Sequence, residues 1–376
     1  MDIVEKVRVL GDAGKWDTCA STASPRKEIG GDRIGNAAAG GICHSFTEDG
    51  RCVSLFKTLY TNKCSMDCRY CQNSTHCPDR THVEYDPEEL AKVFMHLYTG
   101  NYVEGLFLSS GIAGDPDTTT EKMLEAAHLV RDRYNFRGYL HFKILPGTNR
   151  DYVKQAGGIS DRLSINLEAP GRSRLSEISQ VKDYNNDILR RQRWIKKVKP
   201  PSGQTTQLVV GGSGETDREI LETADWEYRK VDLKRVYYSA FTPIEKTPLE
   251  GSDRTPLERE HRLYNVDFML RRYNIPLKEF KEVMVDDNLP NGDPKLHLAR
   301  NYFDRPVDVN TATYDELIRV PGIGPRSVQR IMDIRGRKAV ISKRSQLKSI
   351  GVVLKRAEPF LSISGHSQKR MIEWVT

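Results

Sequence analysis

Between about residues 52 and 243, short apolar, β-branched runs alternate with charged stretches of helical period, the pattern of βα units built round a parallel sheet. Six runs, at 52–60, 105–109, 139–145, 162–167, 207–210 and 235–241, predict strands. Several end in small or polar residues, such as Ser109-Ser110-Gly111 and Gly211-Gly212-Ser213-Gly214, and in parallel α/β architectures ligands sit at the carboxyl ends of strands. Six units are too few for an eight-fold barrel, so the expected fold is α/β, an open, TIM-like partial (βα)6 barrel over 52–243. Residues 1–51, with Gly30-Gly31, Gly40-Gly41, Cys19 and Cys43, form an N-terminal extension. From 244 to 305 the chain turns polar, with breaks at Pro243, Pro248 and Pro256 before a helix-like run at 258–273, and is expected to serve as a connector and helical packing region. Residues 306–376 are expected to form a small all-α domain.

Composition adds little until charge is located. With 376 residues, 38% of them hydrophobic, the chain can bury a sizeable core. No run approaches the roughly 18 apolar residues of a membrane helix, and the opening MDIVEKVRVL lacks the apolar segment of a signal peptide, which reads as a cytoplasmic protein with no membrane partner. Of the 58 Lys and Arg and the 51 Asp and Glu, 13 and 6 fall in 306–376, leaving 45 of each sign in 1–305. The net charge of +7 therefore belongs to the tail. Charge segregated in this way suggests a polyanionic partner; a merely solvated surface is the plainer alternative.

Chemistry enters with the cysteines. Seven is an odd number, and three of them fall in Cys64-Ser-Met-Asp-Cys68-Arg-Tyr-Cys71, directly after the first expected strand of the barrel. This C-x3-C-x2-C loop suits metal or redox chemistry in a reducing compartment better than a disulfide framework. Three thiolates on one loop can hold three corners of a 4Fe-4S cluster, and the missing fourth ligand leaves an iron open for catalysis. A zinc site or unligated core thiols are the alternatives. The spacing, with aromatic Tyr70 just before the last cysteine, resembles the signature of the radical S-adenosylmethionine (SAM) superfamily. That resemblance implies that SAM chelates the open iron through its amino and carboxylate groups and is cleaved by one electron to a 5′-deoxyadenosyl radical, which abstracts a substrate hydrogen. It also implies a one-electron reductant as partner.

Later strand ends carry further resemblances. Ser109, Ser110 and Gly111 are similar to the short motif that receives the SAM ammonium, although the usual Gly-Gly-Glu is absent. Asn166 and Glu168, in SINLEAP, occupy the place where the superfamily puts polar groups for the ribose or amino acid part. Gly211 and Gly212 resemble the segment packing near the adenine; for each of these stations an ordinary strand-to-helix turn is the alternative. Lys143 and Arg162 either reach a carboxylate or are solvated surface charges. The four remaining cysteines, Cys19, Cys43, Cys52 and Cys77, are enough to close an auxiliary Fe-S cluster, or are structural thiols. Cys77 also stands as a hydrogen-atom donor to a product radical, as in a DNA-photolesion-repairing branch of the superfamily. Tyr238 and its neighbour Tyr237 compete for that role or are core.

In the tail, Thr313-Tyr-Asp-Glu316 reads as a capping box opening a helix, followed by Val320-Pro-Gly-Ile-Gly-Pro325 and a second helical run. This resembles the helix-hairpin-helix motif of DNA-binding and repair proteins, in which Gly322, Ile323 and Gly324 present backbone N–H groups to a phosphate, with Arg326 and Arg330 one turn apart on the next helix. A degenerate second copy follows at 345–356, either structural or phosphate-touching. From KWDTCAST and GICHSF through the cysteine loop to VPGIG and GVVLKRAEPF, the chain is similar to a group of DNA modification or repair radical SAM proteins associated with uracil-DNA glycosylase. The resemblance implies DNA rather than RNA as partner, with such a glycosylase as a further one. A tRNA-modifying radical enzyme, and a DNA-binding protein whose cluster is structural or redox-sensing, are the alternatives.

Overall fold

The computed structural model describes residues 1–14, 42–46, 52–363 and 366–367. It divides into two compact units, one of Met1–Glu215 with Glu222–Glu260 and one of Thr216–Leu221 with His261–Thr376. Among the described residues no helix is long and apolar enough to cross a membrane.

The first unit is a seven-stranded sheet whose strands lie side by side in chain order: β1 (Ile42–Phe46), β2 (Cys52–Leu59), β3 (Gly105–Ser109), β4 (Tyr139–Lys143), β5 (Arg162–Ser164), β6 (Gln204–Val210) and β7 (Arg235–Ala240). From β2 to β7 every pairing is parallel, the order expected of a partial barrel. Helices α1 (Ile3–Ala13), α2 (Pro87–Thr99), α3 (Pro116–His128), α4 (Arg150–Ile159), α5 (Arg172–Ile178) and α6 (Arg190–Val198) accompany it, and α7 (Asp217–Trp226) belongs to it from Glu222 onward. All of β3 and β6 is buried, as strands covered on both faces must be. Local chemistry sets the helix starts: Asp86 and Glu89 form a capping box with Pro87 in the first turn of α2, and Asp115 caps α3 ahead of Pro116.

Two strands depart from expectation. Residues 42–46, assigned to the extension, form β1, antiparallel to β2, and so pair an edge that a six-stranded sheet would leave open. The strand expected at 162–167 stops at Ser164, because the Thr206 hydroxyl takes the place of a backbone partner: it donates to the Ile165 carbonyl (2.8 Å) and accepts from the Leu167 N–H (3.0 Å). The chain rejoins β6 at Glu168, whose backbone is left-handed (φ 67°).

The second unit holds α8 (Leu257–Arg272) from His261 onward, α9 (Leu277–Lys281), α10 (Pro294–Tyr302), α11 (Tyr314–Arg319), α12 (Pro325–Gly336), α13 (Arg344–Ser349) and α14 (Leu354–Ala357). It is not purely helical, since β8 (Val307–Asp308), β9 (Leu361–Ile363) and β10 (His366–Ser367) form a small sheet that ties the two ends of the hairpin region together. Its core gathers Leu317, Ile318, Val320, Ile323, Val328, Ile331 and Leu347, with Ala299 from α10 among them and Tyr273, Leu296 and Phe303 packed against it. Residues from the expected connector and packing region thus contribute to the core of this module.

Candidate functional site

The cysteine loop leaves β2 and is fastened on two sides. On one, the Ser65 N–H donates to the Ile112 carbonyl (2.7 Å), and the Ile112 N–H donates to Cys64 Sγ (3.4 Å). Gly111 makes this approach feasible, since a Cβ there would lie 2.5 Å from the Lys63 carbonyl oxygen. On the other, Asp67 accepts from Ser179 Oγ (2.5 Å) and the Gln180 N–H (2.8 Å), and the Arg69 N–H donates to the Ile178 carbonyl (2.9 Å). Burial opposes the charge on Asp67, but these hydrogen bonds outweigh it and hold its carboxyl low. Within the loop, the Cys71 N–H donates to the Cys68 carbonyl (3.0 Å).

Cys64, Cys68 and Cys71 all line one cavity at the carboxyl ends of the strands, together with Tyr70, Ser110, Gly111, Lys143, Asn166, Glu168, Lys182 and Gln207. Leu59, Leu145, Val209 and Phe241 give it apolar walls. Burial pushes the Cys68 and Cys71 thiols up, and at Cys71 the neighbouring Cys68 adds to the effect. Lys182 donates to Glu168 at 3.2 Å, with 6% and 9% of the two side chains exposed. Burial disfavours the ammonium, but Cys68 and Glu168 more than offset it and raise its pKa. Burial, then the Glu168 charge, raises Tyr70. Among the described residues no three His, Cys, Asp or Glu are grouped as ligands of one ion, whereas a cubane cluster asks each thiolate to take its own iron.

Not every expected residue reaches this cavity. Ser109 is buried and its carbonyl accepts from the Tyr60 N–H (2.7 Å), so Ser110 and Gly111 represent that motif at the wall. Gly211 and Gly212 do not line it. Their loop closes on itself, the Glu215 carboxylate accepting from the Gly211 N–H and from Ser213 Oγ (2.7 Å), while Gly211 (φ 87°) packs against Thr255. Arg162 donates to the Ser202 carbonyl (3.3 Å) away from the wall, whereas Lys143 is on it. Tyr238 pairs in register with Leu208, and Tyr237 with Gln207; both tyrosines are buried and neither lines the cavity. Cys77 is buried with its thiol donating to the Lys246 carbonyl (3.2 Å) and is not on the wall.

The auxiliary cluster fares no better. Cys43 is disulfide-bonded, which removes its thiolate. Cys19 lies outside the described residues, as do Gly30, Gly31, Gly40 and Gly41, and of Cys52 only the backbone in β2 is described. Sequence reasoning missed Asp67 and Lys182; neither belongs to a spacing motif, and only the fold brings 178–182 beside the cysteine loop.

In the second unit, Thr313 and Glu316 form the expected capping box on α11. Gly322 takes the left-handed turn (φ 84°), and a Cβ there would meet the Val353 carbonyl oxygen at 2.5 Å. Gly324 is the N-cap of α12 with an extended backbone (φ −110°), so it does not need glycine for its φ. The second hairpin copy packs on the first: the Val353 N–H donates to the Gly322 carbonyl (2.9 Å), and Ser327 Oγ and the Arg330 guanidinium donate to the Ile350 carbonyl (3.2 and 3.1 Å). Arg330 thereby braces the two hairpins, and both it and Arg326 are exposed. Beneath Ile323, buried Lys295 donates to that residue's carbonyl (2.5 Å), and burial lowers its pKa to about 7.

Comparison with known proteins matches residues 58–226 to the radical SAM superfamily and 304–356 to the helix-hairpin-helix motif. The chain is similar to the tRNA-2-methylthio-N(6)-dimethylallyladenosine synthases of Bacillus pumilus (25% identity over 38% of this chain and 29% of the relative) and Bacillus mycoides (23% over 56% and 43%). It spans less than half the length of these curated relatives. Among solved structures it is similar to a radical SAM methyltransferase from Sphaerobacter thermophilus (TM-score 0.45, 14% identity, covering 61% of this chain and 71% of that one). It is likewise similar to the FeFe-hydrogenase maturase HydG from Carboxydothermus hydrogenoformans (TM-score 0.45, 12% identity, 56% and 50%). The chain therefore contains a radical SAM domain, with the 4Fe-4S cluster and SAM that such a domain uses, and a helix-hairpin-helix motif.

Proposed function

We propose that this chain, which joins a radical SAM domain to a helix-hairpin-helix motif, is a cytoplasmic enzyme that repairs or modifies a base or sugar in DNA. When bound, the cluster and SAM supply a 5′-deoxyadenosyl radical able to take a hydrogen atom from the substrate. The observation that carries this reading is the single cavity wall on which Cys64, Cys68 and Cys71 meet Asn166, Glu168 and Lys182. The donor set fits the cofactors. Thiols buried together ionise readily only opposite a cation, which iron provides. Cys64, Cys68 and Cys71 would each hold an iron, with the Ile112 N–H steadying Cys64 Sγ. Lys182 and Lys143 offer cations to a carboxylate, Asn166 and Glu168 offer hydrogen bonds to an ammonium or hydroxyls, and Leu59, Val209 and Phe241 keep water from the reacting carbon.

The hairpin at Gly322–Gly324 and exposed Arg326 would take the phosphate backbone without reading bases. A second reading, RNA as substrate, is supported by the curated relatives whose names describe a tRNA product. The test is anaerobic reconstitution, reduction with dithionite, and assay of 5′-deoxyadenosine from SAM with duplex DNA, with tRNA, or with neither. Formation stimulated by DNA supports the first reading and stimulation by tRNA alone the second. No 5′-deoxyadenosine from a protein whose cluster is intact and reducible would overturn both.

A further inference from the structure

A groove of about 1210 Å³ runs beside the hairpin in the second unit, lined by Gly322–Ser327 and by side chains of α8, α10 and α14. Its chemistry is mixed in an informative way. Arg272, Arg326, Arg356 and Lys295 line it against one carboxylate, Asp293, which pairs with Arg356. In the same wall Phe268 keeps 47% of its surface exposed. That ring is held edge-to-face against Tyr273 (5.5 Å between centroids), and Tyr273 in turn carries Lys295 Nζ over its face (4.7 Å). An aromatic ring fixed in orientation and left open to solvent among cations is the arrangement that binds unpaired nucleotides, since every base has a face to stack and every link a phosphate to neutralise. A paired duplex offers its phosphates but keeps its base faces stacked within itself.

We propose that this groove takes an unpaired nucleotide adjoining the phosphates held by the hairpin, its base on Phe268 and its flanking phosphates toward Arg326 and Arg272. The protein would then select nucleic acid containing a single-stranded or extruded nucleotide, and the proposal rests on the nucleic-acid reading given above.

The test uses the full-length reconstituted chain and fluorescence anisotropy with a blunt duplex and with the same duplex interrupted by an unpaired stretch. Stacking on one aromatic ring is worth about 1–3 kcal/mol per base, so the interrupted duplex is expected to bind about 5- to 150-fold more tightly. Phe268→Ala should bring its affinity down to that of the blunt duplex while leaving the blunt duplex unchanged, Phe268→Trp should preserve the preference, and Arg326→Ala should weaken both ligands. Equal affinity of the wild type for both duplexes, or an equal loss for both with Phe268→Ala, would overturn the groove while leaving hairpin binding intact. Failure of the wild type to bind either ligand would overturn the nucleic-acid reading, and the groove with it.

Discussion

Lys182 and Glu168 form an ion pair in which both side chains are almost fully buried, so removing one partner strands the other. Lys182→Met is expected to cost about 3–5 kcal/mol by denaturant unfolding of the cluster-free protein, and the double variant Lys182→Met with Glu168→Gln to recover most of it. Glu227, fully buried, gives a second prediction. Burial pushes its carboxyl up to about 8. The folded state therefore binds the proton more tightly than the unfolded chain does. The stability this confers is complete below about pH 4.3, where the unfolded group is also protonated, and is lost as pH rises to about 8. Glu227→Gln should flatten that part of the profile, which falls by up to about 1.4 kcal/mol per pH unit, and should melt higher than wild type at pH 9 but not at pH 5. At this scale the grouping of Cys64, Cys68 and Cys71 on one cavity wall was legible because the three are neighbours in sequence. Lys182, Asp67 and the exclusion of Tyr238 were not, because each depends on which elements face one another.

At the scale of the element, the helix-hairpin-helix shows which glycine matters. Gly322 has both a left-handed backbone and the Val353 carbonyl against its missing side chain, while Gly324 has neither constraint. Gly322→Ala is expected to cost at least about 1–3 kcal/mol in the thermal unfolding of the second unit and to weaken duplex binding, whereas Gly324→Ala should do much less to stability. The capping box at Thr313 and the start of α12 were readable from local chemistry, as were six parallel strands. The early end of β5 was not readable, because a threonine hydroxyl from the neighbouring β6 decides it. Nor was β1, whose strand character comes from the open edge of β2.

Over the whole molecule, the charge count separates a neutral stretch, residues 1–305, from a basic one, residues 306–376. Nucleic-acid binding carried by that region should depend steeply on salt, with the logarithm of affinity falling linearly against the logarithm of salt concentration. Arg326→Ala should reduce that slope by about one, since one phosphate contact is lost, while Arg330→Ala should act on stability through the brace to Ile350.

The linear pattern alone determined the βα alternation, the three-cysteine loop, the hairpin and the placement of charge, because each is written along the chain by periodicity, spacing, turn chemistry or composition. Tertiary structure alone decided which polar groups stand on the cavity wall, why Gly211, Cys77 and Tyr238 do not, and how residues of the connector and packing region contribute to the hairpin module. Those outcomes depend on contacts between segments distant in sequence, where burial and the filling of hydrogen bonds choose among side chains that look equally eligible along the chain.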